Sequence, residues 1–275
     1  MANCDSCPSK SNCNKQETCT IENNQNNKIK NIIGVMSGKG GVGKSTITSL
    51  IAKQLSKLGY KVGILDADIT GPSIPRLMGV QYERAFSNNG KDIYPIITKE
   101  NIKTMSVNFM VNDESQPVVW KGPLISNTIK QFYKDVMWEE LDYLLIDMPP
   151  GTGDVALTVM QSLPLTGMIM VSVPQDMISM IVSKGINMAK MLNVNILGVV
   201  ENMSYIECPD CNKKIKLFDG DEIEEFLKEM DLDLLGELPM NKEIIEITHK
   251  GSEEISKDLD EILNSIIEKI NNKLN

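Results

Sequence analysis

The residues with the clearest chemistry form a glycine-rich loop, Gly38-Lys-Gly-Gly-Val-Gly-Lys-Ser-Thr46. The loop fits the pattern G-x-x-x-x-G-K-S/T, in which backbone amides cradle phosphates at the N-terminus of a helix. In such loops the lysine, here Lys44, neutralises the terminal phosphates, and the hydroxyl, here Ser45, binds Mg²⁺. The same glycines fit the shorter dinucleotide pattern G-x-G-x-x-G, for which Asp66 would be the ribose-binding acid. The longer pattern is more specific, so it predicts a site for a nucleoside triphosphate with magnesium.

Eight residues of the loop are expected to contact this nucleotide, through backbone amides or through the lysine and hydroxyl side chains. They are Gly38, Gly40, Gly41, Val42, Gly43, Lys44, Ser45 and Thr46. A glycine-rich turn that binds no ligand is the alternative, and the predicted strand before the loop and helix after it make that alternative the weaker one.

Two acidic residues are candidates for hydrolysis, which needs a carboxylate near Mg²⁺ and a group that orients the attacking water. Asp147 follows the apolar run Tyr143-Leu-Leu-Ile146 and opens a glycine-bearing loop that ends at Asp154, as expected for the magnesium-side aspartate and a segment that moves with the γ-phosphate. Asp68 lies two residues beyond Asp66, and this spacing places both side chains on the same side of an extended chain. Asp68 is therefore the candidate for orienting the water, with solvated loop acids as the alternative interpretation.

Metal chemistry in this chain would have to use cysteine, because there is one histidine against six cysteines. The same count makes a Ser-His-Asp or Cys-His triad hard to build. Two cysteines form the pair Cys208-Pro-Asp-Cys211. The other four are Cys4, Cys7, Cys13 and Cys19, spaced C-x2-C-x5-C-x5-C. In a reducing cytosol both groups indicate metal ligands or redox thiols rather than disulfides.

The charge of the chain is uneven. The formal net charge is −9 over 275 residues, and the segment from Glu207 onward carries 19 acidic and 9 basic residues. This balance argues against broad nucleic-acid binding. No apolar run approaches the length of a membrane span, about 18 residues, and the first residues lack the basic and apolar regions of a secretion signal. We therefore expect a cytoplasmic protein that binds neither membrane nor nucleic acid.

Short apolar runs alternate with helix-length amphipathic stretches from Asn31 onward, which is typical of βα units and of a mainly parallel sheet covered by helices on both faces. Strands are predicted at residues 31–36, 61–65, 104–108, 142–146, 167–173, 196–201 and 234–237. Helices are predicted at residues 45–58, 123–136, 155–163, 177–192, 221–229 and 253–270. The pattern predicts an α/β domain over residues 30–275, preceded by a cysteine-rich segment and polar tether over residues 1–29.

The chain resembles the Mrp/ApbC family of iron-sulfur cluster carrier ATPases. This family lies within the deviant-Walker P-loop ATPases, together with the septum-site and plasmid-partition ATPases and the nitrogenase iron protein. The resemblance rests on the phosphate loop, Asp66-Ala-Asp-Ile-Thr-Gly-Pro-Ser73, Asp147-Met-Pro-Pro-Gly-Thr-Gly-Asp154, Glu201-Asn-Met203 and Cys208-Pro-Asp-Cys211. It extends from near Asn31 almost to the C-terminus and implies the three-layer fold of a P-loop NTPase.

The resemblance also implies that the chain binds and slowly hydrolyses ATP as a homodimer. Lys39 would be the signature lysine that reaches the partner subunit's phosphates and stabilises developing negative charge; a solvated loop cation is the alternative. Asn202 would hydrogen-bond the adenine, and Pro239 would lie near the base. Ser45 and Asp147 would organise Mg²⁺.

Two copies of the Cys208/Cys211 pair would meet in that dimer and supply four ligands to one [4Fe-4S] cluster, as the resemblance implies. A bridging structural zinc and a redox dithiol are the competing interpretations. The four N-terminal cysteines suffice for a complete site within one chain, and a [4Fe-4S] cluster is favoured there over zinc and over unliganded thiols. Their spacing differs from the pattern of the eukaryotic carriers.

The expected function is delivery of a [4Fe-4S] cluster to apo-proteins, with apo iron-sulfur proteins and cluster scaffold proteins as partners and ATP hydrolysis coupled to loading or transfer. A spatial-organisation or partition-type ATPase, whose dimer binds a membrane or nucleic acid, is the main alternative. The acidic last quarter, which has no evident basic amphipathic helix, disfavours it. A non-enzymatic zinc-binding module with a degenerate nucleotide site is a weaker third.

Overall fold

The computed structural model describes most of the chain after the first 19 residues. The described residues are 20–69, 71–111, 120, 122–177, 180–208, 210–211, 213–216, 218, 220–250 and 255–274. Cys4, Cys7, Cys13 and Cys19 lie outside them, so the N-terminal cysteine site stays a prediction.

A mainly parallel sheet of nine strands forms the centre of the described part of the chain. The strands are β1 (Lys28–Ser37), β2 (Val62–Asp66), β3 (Ile96–Ile97), β4 (Lys103–Met105), β5 (Glu140–Asp147), β6 (Gly167–Ser172), β7 (Ile196–Glu207), β8 (Lys214–Ile215) and β9 (Leu234–Pro239). Their order is β3-β4-β2-β5-β1-β6-β7-β8, with β9 also paired to β7. The β3–β4 and β7–β8 pairs are antiparallel. This sheet confirms the predicted α/β class.

The position of β5 decides between the two interpretations of the glycine loop. β5 pairs in parallel with β1 on one side and with β2 on the other. In a dinucleotide-binding sheet the first two strands are direct neighbours, whereas here a later strand is inserted between them. The carboxyl ends of parallel strands meet at one edge of a sheet, so Asp147 at the end of β5 lies beside the loop that follows β1.

Helices cover both faces of the sheet and give the fold three layers. They are α1 (Lys44–Lys57), α2 (Ile74–Leu77), α3 (Gly122–Asp135), α4 (Asp154–Ser162), α5 (Pro174–Met177), α6 (Met180–Met191), α7 (Gly220–Met230), α8 (Lys242–Lys250) and α9 (Lys257–Leu274), with a 3-10 turn at Val107–Phe109. Within the described residues, no helix has the length and apolar character needed to cross a bilayer.

Two apolar cores lie on opposite faces of the sheet, because successive side chains of a buried strand point to opposite sides. On one face, Ile32 and Met36 of β1 pack with apolar residues of α3, α4, α6 and α7. On the other face, Ile33 and Val35 pack with residues of α1, α8 and α9. All four β1 side chains are buried, so close packing on both faces fixes the strand that leads into the phosphate loop.

Several elements differ from the sequence-based expectation. Short elements α2, β3 and β8 were not predicted. The strand predicted at residues 104–108 ends at Met105, because the chain turns into the 3-10 helix, where the Ser106 hydroxyl accepts a hydrogen bond from the Asn108 amide. The helix predicted at 177–192 is observed as α5 and α6. Helix α8 is additional, and it begins after Asn241, whose side-chain oxygen accepts from the Ile244 amide at 3.0 Å.

Residues 20–27, part of the predicted polar tether, lie against the domain. The Ile21 amide donates to the Ser162 carbonyl at 2.8 Å. Asn27 is buried, and its side chain donates to the Val136 carbonyl at 2.8 Å and accepts from the Glu139 amide at 2.8 Å. Strand β1 begins at Lys28, within the predicted segment. The described end of this segment is therefore packed on the sheet.

Candidate nucleotide cleft and cysteine hairpin

The phosphate loop joins the end of β1 to the start of α1. Gly43 occupies the left-handed backbone region with φ 83°, and its carbonyl accepts from the Ile47 amide at 2.9 Å, which starts the helix. A Cβ atom at this position would lie 2.2 Å from Asn202 Nδ2. Only glycine meets both conditions, so Gly43 brings the loop backbone directly against β7.

Asp147 joins the first turn of α1 to β5. Its Oδ1 accepts from Lys44 Nζ at 2.7 Å and from Thr48 Oγ1 at 3.0 Å, and its Oδ2 accepts from Ser45 Oγ at 2.5 Å. Asp147 is 0% exposed and Lys44 is 6% exposed. Thr48 is not among the predicted site residues, although its position four residues after Lys44 places it on the same face of the helix. The structure thus collects a lysine, two hydroxyls and a carboxylate at the base of the phosphate loop.

Asp66 lies in register with Asp147 on the neighbouring strand β2. It is 1% exposed, and its carboxylate accepts from the Ser106 hydroxyl at 3.1 Å and from the Asp68 amide at 3.2 Å. Burial raises the pKa of Asp66 well above its usual range, and the charge of Asp147 raises it further. Burial also raises the pKa of Asp147, where Lys44 acts in the opposite direction. Asp66 is enclosed within the fold and does not present its carboxylate to a ribose.

A cleft of about 510 Å³ opens over the phosphate loop. The predicted residues that line it are Gly40, Gly41, Gly43, Lys44, Ser45, Thr46, Asp68, Asn202 and Pro239. Gly38, Val42 and Asp147 are buried outside this lining, and Lys39 is exposed outside it. Arg76 and Met240, which are not among the predicted site residues, also line the cleft.

The side-chain amide of Asn202 makes a hydrogen bond through its nitrogen but not, within the described residues, through its oxygen. Its Nδ2 donates to the Val42 carbonyl at 2.9 Å. Its Oδ1 is buried and accepts no hydrogen bond from the described residues. A carbonyl can only accept, so the contact with Val42 fixes the orientation of the amide. The buried acceptor matches an N–H donor on a ligand, such as the exocyclic amine of adenine.

Lys39 is exposed, and its backbone is tied through Ser37 to the loop that follows β5. The buried Ser37 hydroxyl donates to the Lys39 carbonyl at 2.9 Å. The Ser37 carbonyl accepts from the Gly151 amide at 2.8 Å. Ser37, which was not among the predicted residues, therefore joins the Lys39 backbone to the loop after β5.

The second cysteine group lies in the turn between the antiparallel strands β7 and β8, here called the cysteine hairpin (residues 206–216). The Cys208 amide donates to the Lys213 carbonyl at 3.0 Å, which closes the turn. Cys208 is half-buried and Cys211 is exposed, and both are free thiols. Backbone N–H groups of Asp210 and Cys211 lower the pKa of the Cys208 thiol. The pair therefore offers two accessible sulfur ligands, half of a tetrahedral set.

Comparison with known proteins identifies a family whose match spans the residues of both the cleft and the hairpin. The ParA family model, described as NUBPL iron-transfer P-loop NTPase, matches residues 28–275. An iron-sulfur cluster carrier protein of Clostridium perfringens is 48% identical over 269 residues, which cover 92% of this chain and 94% of that protein. A protein of the same name from Methanocaldococcus jannaschii is 44% identical in an alignment of 283 positions, gaps included, that covers 98% of this chain and 97% of that protein.

Solved structures agree with the fold. A nucleotide-binding protein from Archaeoglobus fulgidus, in complex with ADP, is 42% identical and has a TM-score of 0.72 over 81% of this chain and 87% of that chain. The cell division ATPase MinD of Pyrococcus furiosus is 22% identical, with a TM-score of 0.63 over 88% of this chain and 98% of that chain, and it supports the fold alone. From the sheet order, the phosphate loop and the match over residues 28–275, the chain belongs to the family of NUBPL-type iron-transfer P-loop NTPases.

Proposed function

We propose that this chain binds Mg-ATP in the cleft, hydrolyses it slowly and delivers a [4Fe-4S] cluster, held by Cys208 and Cys211 of two subunits, to apo-proteins. The observation that carries the proposal is the convergence of Lys44, Ser45 and Asp147 at the phosphate loop, on the sheet edge that also carries a pair of free thiols. Apo iron-sulfur proteins and cluster scaffold proteins are the partners.

The nucleotide would lie with its phosphates on the loop and its base toward β7 and β9. Backbone amides of residues 38–46 would bind the phosphates, and Lys44 would neutralise their terminal charge. The unsatisfied Oδ1 of Asn202 would accept from the adenine amine, with Pro239 beside the base. Ser45 would hold Mg²⁺ with Asp147 close by, and the ion would neutralise charge on the phosphates.

In each nucleotide site, hydrolysis would use an aspartate from the same chain and a lysine from the partner subunit. Asp68 lines the cleft and would orient the attacking water. Lys39 would reach the phosphates bound by the partner subunit and stabilise the charge that develops on them. A homodimer is therefore required for turnover, and closing of the dimer would assemble the complete site.

The cluster is the cargo of this protein. Each chain supplies two thiolates, so two chains in a two-fold dimer would complete the four ligands of a [4Fe-4S] cluster. A cluster between subunits is exposed to their relative motion and can be handed over when they separate. We also propose a second four-thiolate site, for a [4Fe-4S] cluster or zinc, at the four N-terminal cysteines, Cys4, Cys7, Cys13 and Cys19.

Anaerobic purification, followed by an absorption spectrum and by iron and sulfide analysis, tests the cargo. A coloured protein with iron and sulfide in equal amounts is expected. A colourless, zinc-loaded protein would contradict the proposal in favour of the zinc module. A metal-free protein with ATPase activity would instead favour a partition-type ATPase.

Replacing Lys44 by alanine tests the nucleotide site. We expect ATP turnover to fall by about 10²–10³-fold, because the phosphates lose their main neutralising group, while cluster assembly in vitro is preserved. Phosphate release and iron content are measured on the same preparation. Lys57→Ala removes an exposed lysine of the same helix, 2.5 Å from Asp260, and should retain turnover. Full ATPase activity in Lys44→Ala would refute the site assignment.

A further inference from the structure

Two glutamates face each other on neighbouring parallel strands, and neither the nucleotide cleft nor the cysteine pair accounts for them. Glu201 of β7 is in register with Glu237 of β9. Like charges in direct opposition destabilise a sheet. Glu201 is 2% exposed, and its Oε1 accepts no hydrogen bond from the described residues. Glu237 is half-buried, so a buried and a half-buried acid lie side by side and need other groups to balance them.

Ser204 and Lys216 provide that balance. The Ser204 hydroxyl lies 2.9 Å from Glu201 Oε2 and 3.0 Å from Glu237 Oε1, and Lys216 Nζ lies 2.6 Å from Glu237 Oε1. A hydroxyl has one proton, so Ser204 donates to Glu201 Oε2 or to Glu237 Oε1 and links the two acids. Lys216 places its positive charge against the Glu237 carboxylate. Burial raises the pKa of Glu201, and the neighbouring Glu237 raises it further.

These four residues, Glu201, Ser204, Glu237 and Lys216, are here called the latch, and they adjoin segments of both sites. Asn202 directly follows Glu201 on β7, and Pro239 lies two residues beyond Glu237 on β9; both line the cleft. Lys216 directly follows β8, the returning strand of the cysteine hairpin. The latch therefore connects the two strands that border the cleft to the segment that carries the thiols.

We propose that the latch couples the nucleotide cleft to the cysteine hairpin. A nucleotide that contacts Asn202 and Pro239 shifts β7 relative to β9, and this shift changes how firmly Lys216 holds the hairpin. A small shift is sufficient, because Ser204 bridges two carboxylates only while both stay within hydrogen-bond distance. The cysteine hairpin thus has two states: in one, Lys216 is bound to Glu237, and in the other this contact is broken. The inference rests on the proposed function in one respect, that the cleft binds nucleotide.

Alkylation of the hairpin thiols in reduced, metal-free, full-length protein measures this coupling without a cluster. The rate of reaction with iodoacetamide is followed by mass spectrometry of the peptide that contains Cys208 and Cys211, with and without saturating ADP. In the unaltered chain, ADP should change this rate by about five-fold or more, the lower end of typical coupling between sites. In Lys216→Met, the two rates should agree within about two-fold, although the variant still binds ADP.

Conservative and matched variants separate the latch from a general loosening of the hairpin. Lys216→Arg retains the positive charge and should retain the ADP effect. Lys213→Met removes an exposed lysine of the same hairpin and should also retain it. Glu237→Gln keeps an acceptor for Ser204 but removes the charge that holds Lys216, so it should lose the effect.

Two results would overturn the latch. One is an ADP effect in Lys216→Met equal to that of the unaltered chain, and the other is an unaltered chain that binds ADP without any change in thiol reactivity. An unaltered chain that binds no ADP would contradict the proposed function and the latch together. Titration of the protein with ADP, measured before alkylation, distinguishes these failures.

Discussion

Asp66 and Asp147 stand in register at the ends of adjoining strands, but their surroundings differ. Asp147 contacts the Lys44 ammonium at 2.7 Å, whereas Asp66 accepts from a hydroxyl and a backbone amide. Two buried carboxylates beside one cation favour the state in which one of them carries a proton. Burial raises the pKa of Asp66 well above its usual range, so Asp66 is the member of the pair that takes up a proton more readily.

Asp66→Asn should stabilise the protein increasingly as the pH rises. The raised pKa of Asp66 means that the folded state holds this proton more tightly than the unfolded state. Its contribution to stability is therefore fully present below the ordinary aspartate pKa and is lost as the pH rises through the raised value. Asparagine retains a neutral group of the same shape at every pH. Thermal unfolding at several pH values should show a Tm difference that grows toward alkaline pH, and a constant difference would contradict the assignment.

Ser37→Ala should lower kcat through Lys39. The lost hydroxyl holds the Lys39 carbonyl at 2.9 Å, so we expect kcat to fall by about 3–10-fold with little change in the KM for ATP. In a Lys39→Ala background the same change should have no further effect on kcat, because coupled residues are not additive. Steady-state ATPase kinetics of the four proteins provide the test.

The matched control for Ser37→Ala is Ser172→Ala. Ser172 is a serine of β6 that is 1% exposed, as Ser37 is. Its hydroxyl donates to the Val173 carbonyl at 3.3 Å rather than to a residue of the phosphate loop. Equal losses of kcat in the two serine variants would indicate general loss of packing. If Lys39→Ala itself left kcat unchanged, the proposed role of the signature lysine would be wrong.

At the scale of elements, the turn between β1 and α1 fixes how closely the phosphate loop approaches β7. Gly43 and Gly59 both have left-handed backbones, with φ 83° and 90°. A Cβ at Gly59 would meet nothing within 4 Å, whereas one at Gly43 would lie 2.2 Å from Asn202 Nδ2. Alanine would therefore strain the backbone at either position, but only at Gly43 would its Cβ also clash with a neighbouring side chain.

Gly43→Ala should weaken ADP binding by about 100-fold or more, because a displaced Asn202 and a shifted loop remove contacts at both ends of the cleft. Gly59→Ala should cost about 1–2 kcal/mol of folding stability and leave the Kd for ADP unchanged. Calorimetric titration with ADP and thermal unfolding separate the two effects. An equal loss of ADP affinity in both variants would contradict this prediction, because backbone strain without the clash at Asn202 would then explain the loss.

The elements that build the cleft could be predicted where a short stretch of sequence carries the pattern that defines them. β1, α1 and β5 follow from apolar runs and from the phosphate loop. The insertion of β5 between β1 and β2 could not be predicted from them, because it depends on pairing between distant segments. Ser37, Thr48 and Ser106 were missed for a different reason: a single hydroxyl carries no pattern that separates a buried contact from a solvated one.

The end of β7 shows the same limit. It was predicted to end at residue 201 but continues to Glu207, because β9 and β8 supply pairing partners for residues with weak strand character. The cysteine pair was visible in the sequence, but its position on a hairpin at the end of this strand was not. Tertiary pairing thus overrides local propensity where the two sites approach each other.

At the scale of the whole molecule, each chain contributes half of the proposed cluster site. Replacing both Cys208 and Cys211 by serine should remove about two iron atoms per chain from anaerobically reconstituted protein, because two chains share one [4Fe-4S] cluster. An N-terminal cluster, complete within a chain, would contribute about four and should remain. Iron analysis with light scattering gives the ratio of iron to chain and the oligomeric state. Loss of about four iron atoms per chain would contradict a shared cluster.

The insertion of β5 also determines when the site can form during synthesis. Lys44 and Asp147 are separated by 103 residues, which a ribosome adds in roughly 5–20 s. During that interval β1, which has two apolar faces, lacks β5 and β6, its partners on either side. An unpaired apolar strand is open to incorrect pairing until its partners have been synthesised. Nucleotide can therefore stabilise the completed domain, but it arrives too late to guide the first steps of folding.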